Sequence, residues 1–189
     1  MSGRAGDKTW EELLLELVRR YYTPGGPAGA APKVPPDPGY PEAVTEITVT
    51  NRSCGDSVTV CRGPGGQGGC GVQGLRIVAR GCAVCKASAA LAESTAALLS
   101  VQEIVSLCRE MIARITAARE QESVALPGAL SCTLPEDILR DLELLELVKN
   151  APGRRRCATL SWEALAEAFA ERESSDCVDT SQVIRYSEI

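Results

Sequence analysis

Three cysteine-bearing segments hold the side chains of this chain that are best suited to chemistry. They are Ser53-Cys54-Gly55-Asp56, Gly81-Cys82-Ala83-Val84-Cys85 and Arg154-Arg155-Arg156-Cys157-Ala158-Thr159-Leu160. Cys54 and Asp56 place a soft and a hard donor two positions apart, and Gly55 between them can adopt the positive φ that turns both side chains to one ion. Together with Cys82 and Cys157 they offer three thiolates and one carboxylate, a ligand set for one tetrahedral metal ion.

Each of these cysteines also has an ordinary structural interpretation. A lone cysteine most often packs as a small hydrophobic side chain, so the metal hypothesis rests on the three segments occurring together. Cys82 and Cys157 are predicted to lie at helix starts, where the helix dipole and unpaired N–H groups favour a thiolate. Cys82 and Cys85 also form a CxxC pair, but a thioredoxin-like redox site needs a βαβ unit that this sequence does not predict.

The remaining cysteines are less informative. Cys61 and Cys70 flank a glycine-rich run. They either bind a second metal ion or form a labile disulfide, or else they are exposed thiols without a role. Cys108 and Cys132 are expected to pack in the interior, and Cys177 is expected to lie in a C-terminal tail.

Composition excludes several classes of protein. The absence of histidine rules out Ser-His-Asp and Cys-His catalysis and any imidazole metal ligand. A net charge of -5 argues against a nucleic-acid-binding protein. No apolar run approaches the roughly 20 residues of a membrane span, and no secretory signal is evident. We therefore expect a cytoplasmic protein with no membrane partner, in which nine cysteines are more suited to metal or chemistry than to disulfides.

The elements predicted to position the three segments are strands first and helices afterwards. The predicted strands span residues 44–50, 57–61 and 74–80, and the predicted helices begin near Thr9, Val84, Ser100, Thr133 and Thr159. Three of these starts are predicted from capping pairs, namely Thr9 with Glu12, Ser100 with Glu103 and Thr133 with Glu136. The first cysteine segment thus lies in the turn between two strands. Strands followed by helices are typical of an α+β domain, so we expect a small antiparallel β-sheet packed against several α-helices.

The domain organisation is predicted from composition. Residues 1–8 form an N-terminal extension, residues 9–172 form one domain, and residues 173–189 form a C-terminal tail. The domain includes a Pro/Gly-rich loop over residues 24–41 and a Gly-rich loop over residues 63–71. Pro152-Gly153 is predicted to end a helix, which leaves the Arg154-Arg155-Arg156 cluster in a solvated loop.

In order and content, the cysteine segments resemble the three motifs of the IscU/SufU/NifU N-terminal family. The matching residues are Asn51-Arg52-Ser53-Cys54-Gly55-Asp56, Gly81-Cys82-Ala83-Val84-Cys85-Lys86-Ala87-Ser88 and Arg156-Cys157-Ala158-Thr159-Leu160-Ser161-Trp162. The resemblance covers residues 10–170. Three features favour the SufU branch. The stretch between the second and third motifs is long, Arg156 stands where IscU-type proteins carry His, and no Leu-Pro-Pro-Val-Lys motif precedes Cys157.

The resemblance implies a SufE/NifU-like fold and a Zn²⁺ site formed by Cys54, Asp56, Cys82 and Cys157. It also implies a zinc-dependent sulfurtransferase role in iron–sulfur cluster assembly, in which Cys54 accepts persulfide sulfur from a SufS-type cysteine desulfurase. The sulfur would then pass to a downstream scaffold or to apo-proteins. We further expect Arg156 to steady negative charge beside Cys157.

Two alternatives stay open on the same residues. The ligands would also suit a scaffold on which a [2Fe–2S] cluster is built, or a divergent module in which zinc is purely structural. An exposed, exchangeable Cys54 would count against the structural module. Cys85 stands where the family usually has Ser, so it is either a further thiol sharing the metal or a resolving thiol.

Overall fold

An antiparallel sheet and the helices packed on it make up the part of the chain that the computed structural model describes, residues 8–21, 45–63, 72, 74–117 and 133–170. The strands are β1 (Thr45–Thr50), β2 (Ser57–Arg62) and β3 (Leu75–Arg80). The helices are α1 (Trp10–Tyr21), α2 (Ala83–Ala96), α3 (Val101–Thr116), α4 (Glu136–Glu146) and α5 (Pro152–Ala170), with a 3-10 helix at Leu147–Asn150. The predicted α+β class is confirmed.

The sheet brings two of the cysteine segments to one edge. Its strand order is β1-β2-β3 with both pairs antiparallel, and Val58 and Val60 of β2 are fully buried against the helices. The loop between β1 and β2, residues 51–56, leaves the sheet at the end where Ser57 pairs with Arg80, the last residue of β3. Cys82 follows two residues later, so it emerges beside that loop.

Helix α5 brings the third segment to the same edge. It packs against α2 and α3 and also against β1 and β2, so it runs through the centre of the described structure. Trp162 and Phe169, two of the few aromatic residues, are buried on it. Cys157, nearer its N-terminus, is 1% exposed and lies against the β1–β2 loop.

The start of α5 corrects the sequence prediction. The helix begins at Pro152 rather than near Thr159, because proline is favourable at a first helical position, where its missing N–H is not needed. Arg154, Arg155 and Arg156 therefore lie on the helix and not in a loop. Cys157 lies in the second turn, not at the helix start, so the predicted stabilisation of its thiolate by an N-terminus was wrong.

Two predicted capping boxes are present. The Ser100 hydroxyl accepts from the Glu103 backbone N–H at 3.4 Å, and Glu103 Oε2 accepts from the Ser100 backbone N–H at 2.8 Å. At α1, the Thr9 N–H donates to Glu12 Oε2 at 2.8 Å and the Glu12 N–H donates to Thr9 Oγ1 at 3.3 Å. Each pair satisfies two backbone donors that a helix start leaves unpaired.

The predicted cap at Thr133 was wrong. Helix α4 begins at Glu136 after Pro135, and the Thr133 hydroxyl instead donates to Glu103 Oε1 at 3.4 Å. A proline disfavours helical backbone in the residue before it, here Leu134, which delays the helix start.

Several predictions fall outside the described residues. These are the Pro/Gly-rich loop over 24–41, most of the Gly-rich loop over 63–71, the tail over 173–189, and Cys70, Cys132 and Cys177. The domain boundaries accordingly stay predictions. Among the helices that are described, none combines the length and apolarity required to cross a membrane.

Candidate metal centre

The β1–β2 loop is folded around Asn51. Its backbone N–H donates to the Asp56 carbonyl at 2.7 Å, and its own carbonyl accepts from Cys54 at 3.3 Å and from Gly55 at 2.8 Å. Its side-chain Oδ1 accepts from the Ser53 N–H at 3.1 Å, an Asx-turn contact. Gly55 has φ +78, which confirms the positive φ expected from the sequence.

The loop and α5 place three of the predicted ligands together. One ligand atom each from Cys54, Asp56 and Cys157 lies within 4.8 Å of the other two. The Cys54 and Cys157 sulfurs are 3.8 Å apart although the residues are 103 positions apart in sequence. Asp56 is 5% and Cys157 1% exposed, whereas Cys54 is exposed to solvent. The cluster thus combines two buried donors, Asp56 and Cys157, with one solvent-accessible thiol, Cys54.

The fourth predicted ligand lies beside this cluster rather than within it. Cys82 is the residue before α2 and is half-buried, and its backbone N–H donates to Asp56 Oδ1 at 3.3 Å. The preceding Gly81 is packed against the same carboxyl group: a Cβ there would lie 2.4 Å from Asp56 Cγ. A glycine is therefore required at position 81 by the close approach of Asp56.

The neighbours of Asp56 favour the ionised form of its carboxyl group. Burial raises the pKa of Asp56, but the thiols of Cys157, Cys82 and Cys54 and the Cys82 backbone N–H outweigh it and hold the pKa below its usual range. Burial, followed by the neighbouring Asp56, raises the pKa of Cys157 far above that of an ordinary thiol. A metal ion bound here would therefore have to displace the Cys157 proton.

The donors present fit a zinc ion. Asp56 Oδ2 is buried and, within the described part of the chain, has no hydrogen-bond partner. A buried carboxylate oxygen without a partner is costly unless a cation satisfies it. The sulfurs of Cys54 and Cys157 lie within 4.8 Å of a carboxylate oxygen of Asp56, and together they form the mixed sulfur and oxygen set that Zn²⁺ accepts.

Arg154, near the start of α5, is close enough to the thiols of Cys82 and Cys157 for them to change its pKa. Its pKa is raised, first by the negative charge of Cys82 and then by its contact with Cys157. Arg156, chosen from the sequence because it adjoins Cys157, instead forms an ion pair with Glu163 on the same helix. Residues three apart share a helix face, so Arg154 could have been identified had the start of α5 at Pro152 been recognised. The role expected of Arg156 stays a prediction.

Three other cysteines are placed by the structure. Cys85 is buried on α2 one turn after Cys82, and burial, followed by the charge of Asp56, raises its pKa to about 12. Cys108 is buried on α3, as expected, and burial raises its pKa to about 12. Cys61 is half-buried on β2, where burial and then Glu46 raise the pKa of its thiol.

Comparison with solved structures shows a shared fold. A hypothetical protein has 21% identity and a TM-score of 0.57, with 84% of this chain and 97% of that chain covered. A candidate iron–sulfur cluster assembly scaffold protein for the SUF system from Fervidobacterium islandicum AW-1 has 20% identity and a TM-score of 0.53, covering 84% and 94%. A nitrogen-fixing NifU-like protein (N-terminal) from Brucella abortus has 19% identity and a TM-score of 0.51, covering 69% and 79%.

No protein-family model and no curated protein matches the chain. The solved structures nevertheless confirm, at the level of the fold, the resemblance to the IscU/SufU/NifU N-terminal family that the cysteine segments indicated.

Proposed function

We propose that this chain, which has the fold of the SufU and NifU-like N-terminal structures, is an iron–sulfur cluster assembly protein. Its specific role is that of a SufU-like, zinc-dependent acceptor of persulfide sulfur from a SufS-type cysteine desulfurase. The observation that carries the proposal is the cluster of an exposed Cys54 with two buried donors, Asp56 and Cys157. An accessible thiol beside two buried donors suits a site that both holds a metal ion and contacts a partner protein.

The residues that would hold the zinc are Cys54, Asp56, Cys82 and Cys157. Zinc bound there would keep several thiols deprotonated at neutral pH. Asp56 and Cys157 are buried and would retain the ion, whereas Cys54 is exposed and would be the ligand that a partner protein reaches first. Arg154, which lies near Cys82 and Cys157, compensates the negative charge of the thiolates.

Sulfur transfer at this site is an exchange between sulfurs. The Cys54 thiolate attacks the terminal sulfur of the donor persulfide, a new sulfur–sulfur bond forms at Cys54, and the bond within the donor breaks. The donor cysteine leaves as a thiolate, and Cys54 carries the persulfide. The exchange needs no added oxidant or reductant. A downstream scaffold or apo-protein would then take the sulfur.

The second candidate function is a scaffold on which a [2Fe–2S] cluster is built. The description of the Fervidobacterium islandicum structure as a candidate scaffold favours it, and the same Cys and Asp donors would serve. A purely structural zinc site is disfavoured because Cys54 is exposed rather than enclosed. The cytoplasmic location expected from the sequence belongs to this proposal as well.

Metal analysis distinguishes these functions. The protein is purified without oxygen, and its zinc, iron and acid-labile sulfide are measured per chain. Sulfur acceptance predicts about one zinc without sulfide. Iron with matching sulfide would favour the scaffold instead, and the absence of both would contradict both functions. Selective alkylation of Cys54 in the zinc-loaded protein then separates sulfur acceptance from a structural zinc, because a structural site would protect that sulfur.

A further inference from the structure

The side-chain amide of Asn51 lies directly against the sulfurs of the candidate metal centre. Its Nδ2 donates to Cys54 Sγ at 3.0 Å and lies 4.0 Å from Cys157 Sγ. Asn51 is 6% exposed, so solvent competes little for these N–H groups. One amide group therefore contacts both the exposed and the buried sulfur.

The loop itself fixes which end of the amide faces the sulfurs. Oδ1 of Asn51 accepts the Ser53 backbone N–H at 3.1 Å, so the oxygen end is already occupied. The Asn51 backbone is held by the Asp56 carbonyl and by the Cys54 and Gly55 N–H groups. The NH₂ end is left pointing at Cys54 Sγ, and turning the amide over would break both its contacts.

We propose that Asn51 is a positioning residue of the metal centre, whose side-chain N–H holds the Cys54 sulfur at the ion. The inference rests on the proposed function, because it requires that an ion bind there. Cys54 is exposed whereas Cys157 is buried, so the hydrogen bond from Asn51 supplies to the Cys54 sulfur the orientation that burial supplies to Cys157. An N–H donor also draws electron density from a thiolate, so the Asn51 amide would stabilise the Cys54 sulfur as an anion.

The competing explanation is that Asn51 only shapes the turn. Asparagine is common in such turns because its Oδ1 accepts a backbone N–H two residues on, as it does here from Ser53. The two roles use opposite ends of one amide. A substitution that keeps the acceptor and removes the donor therefore separates them.

The test compares Asn51→Asp and Asn51→Ser with the unmodified full-length chain, using Co²⁺ as a spectroscopic replacement for Zn²⁺. Both variants keep an oxygen that can accept the Ser53 N–H, and both lose the side-chain N–H that donates to Cys54 Sγ. The serine hydroxyl is one bond nearer the backbone than Nδ2, so it cannot take the place of that N–H at the same distance. Asn51→Ser is neutral, so its result does not depend on adding a carboxylate beside the thiolates. Asn150→Asp is the control, because it adds the same charge in the 3-10 helix, outside the site. Circular dichroism checks that each variant is folded.

We expect both Asn51 variants to bind Co²⁺ about 10- to 100-fold more weakly, the usual effect of removing a hydrogen-bond partner of a metal ligand. We also expect their sulfur-to-cobalt charge-transfer band to move to longer wavelength, because a sulfur without its N–H donor has higher-energy lone pairs. Asn150→Asp should match the unmodified protein in both measurements.

Two results would overturn the inference while leaving the proposed function intact. The first is unchanged affinity and band position in the Asn51 variants. The second is weaker binding with an unchanged band position, which would restrict Asn51 to shaping the turn. Failure of the unmodified protein to bind either Zn²⁺ or Co²⁺ would instead overturn the proposed function, and the inference with it.

Discussion

At the scale of single residues, the site depends on an uneven exposure of its donors. Asp56 and Cys157 are buried, Cys82 is half-buried, and Cys54 is exposed. The sequence predicted these four residues as ligands because their types and spacing are local features, and the structure brings ligand atoms of Cys54, Asp56 and Cys157 within 4.8 Å of one another. It did not identify Asn51 as a partner of Cys54, because hydrogen bonding to a sulfur leaves no sequence signal distinct from that of a turn residue.

Replacing the ligands tests their assignment. Cys54→Ala, Cys82→Ala and Cys157→Ala should each lower zinc content from about one per chain to well below that, because each removes one of the three thiolates from the proposed set of four ligands. The matched control is Cys108→Ala, which removes a buried sulfur on α3 and should cost about 1 kcal/mol of stability while keeping the metal. Zinc is measured by native mass spectrometry. Loss of metal in the Cys108 variant alone would show that the ligands are wrongly assigned.

Gly81 gives a second residue-scale prediction. Gly81→Ala places a Cβ 2.4 Å from Asp56 Cγ, so the carboxyl group must move away from the other donors and zinc affinity should fall at least tenfold. Gly153→Ala is the control, since a Cβ there meets nothing within 4 Å and alanine favours the helix by about 0.5–1 kcal/mol. Competition with a chromophoric chelator measures the affinity. Equal zinc affinity in the two variants would mean that Asp56 is not a ligand.

At the scale of elements, the site is the meeting point of a strand loop, the start of α2 and the second turn of α5. Alternating valines in β2 and the capping box of α3 made those elements predictable. The start of α5 was not predictable by the same means, because Pro152 both ends helices and begins them. That ambiguity is why Arg154 was overlooked.

The attachment of α1 to α4 is a testable contact between elements. Asp141 of α4 is 2% exposed; it accepts a hydrogen bond from the Tyr21 hydroxyl at 2.8 Å and forms an ion pair with Arg20. Tyr21→Phe should destabilise the protein by about 1 kcal/mol. Arg20→Ala should cost more, about 2 kcal/mol, because it leaves a buried carboxylate without its cation; the 41% exposure of Arg20 keeps the loss below that of a fully buried pair. Urea unfolding measures both changes, and an Arg20 variant as stable as the Tyr21 variant would contradict this account.

At the scale of the whole molecule, buried thiols make folding sensitive to alkaline pH. The pKa of Cys108 rises from 9.0 to about 12 in the folded protein because of burial. Between these values the unfolded chain loses a proton that the folded chain keeps, so the unfolding free energy decreases as pH rises. Below pH 9 this group has no such effect.

Cys108→Ala isolates this contribution. The unmodified protein should lose about 1.4 kcal/mol more stability per pH unit than the variant between about pH 9 and 12. Because the substitution itself costs about 1 kcal/mol, the two proteins should become equal in stability within about one pH unit above pH 9, and at higher pH the variant should be the more stable. Urea unfolding under a reducing agent, repeated across this range, measures the difference. Parallel profiles would show that Cys108 does not keep its proton in the folded state.

The most direct test of the central claim is to locate a transferred sulfur atom. The zinc-loaded protein is incubated without oxygen with a SufS-type cysteine desulfurase and cysteine, and the products are mapped by peptide mass spectrometry. The account predicts one added sulfur atom on Cys54 and none on this protein when Cys54 is replaced by Ala. Sulfur added only at another cysteine, or no added sulfur at all, would contradict it.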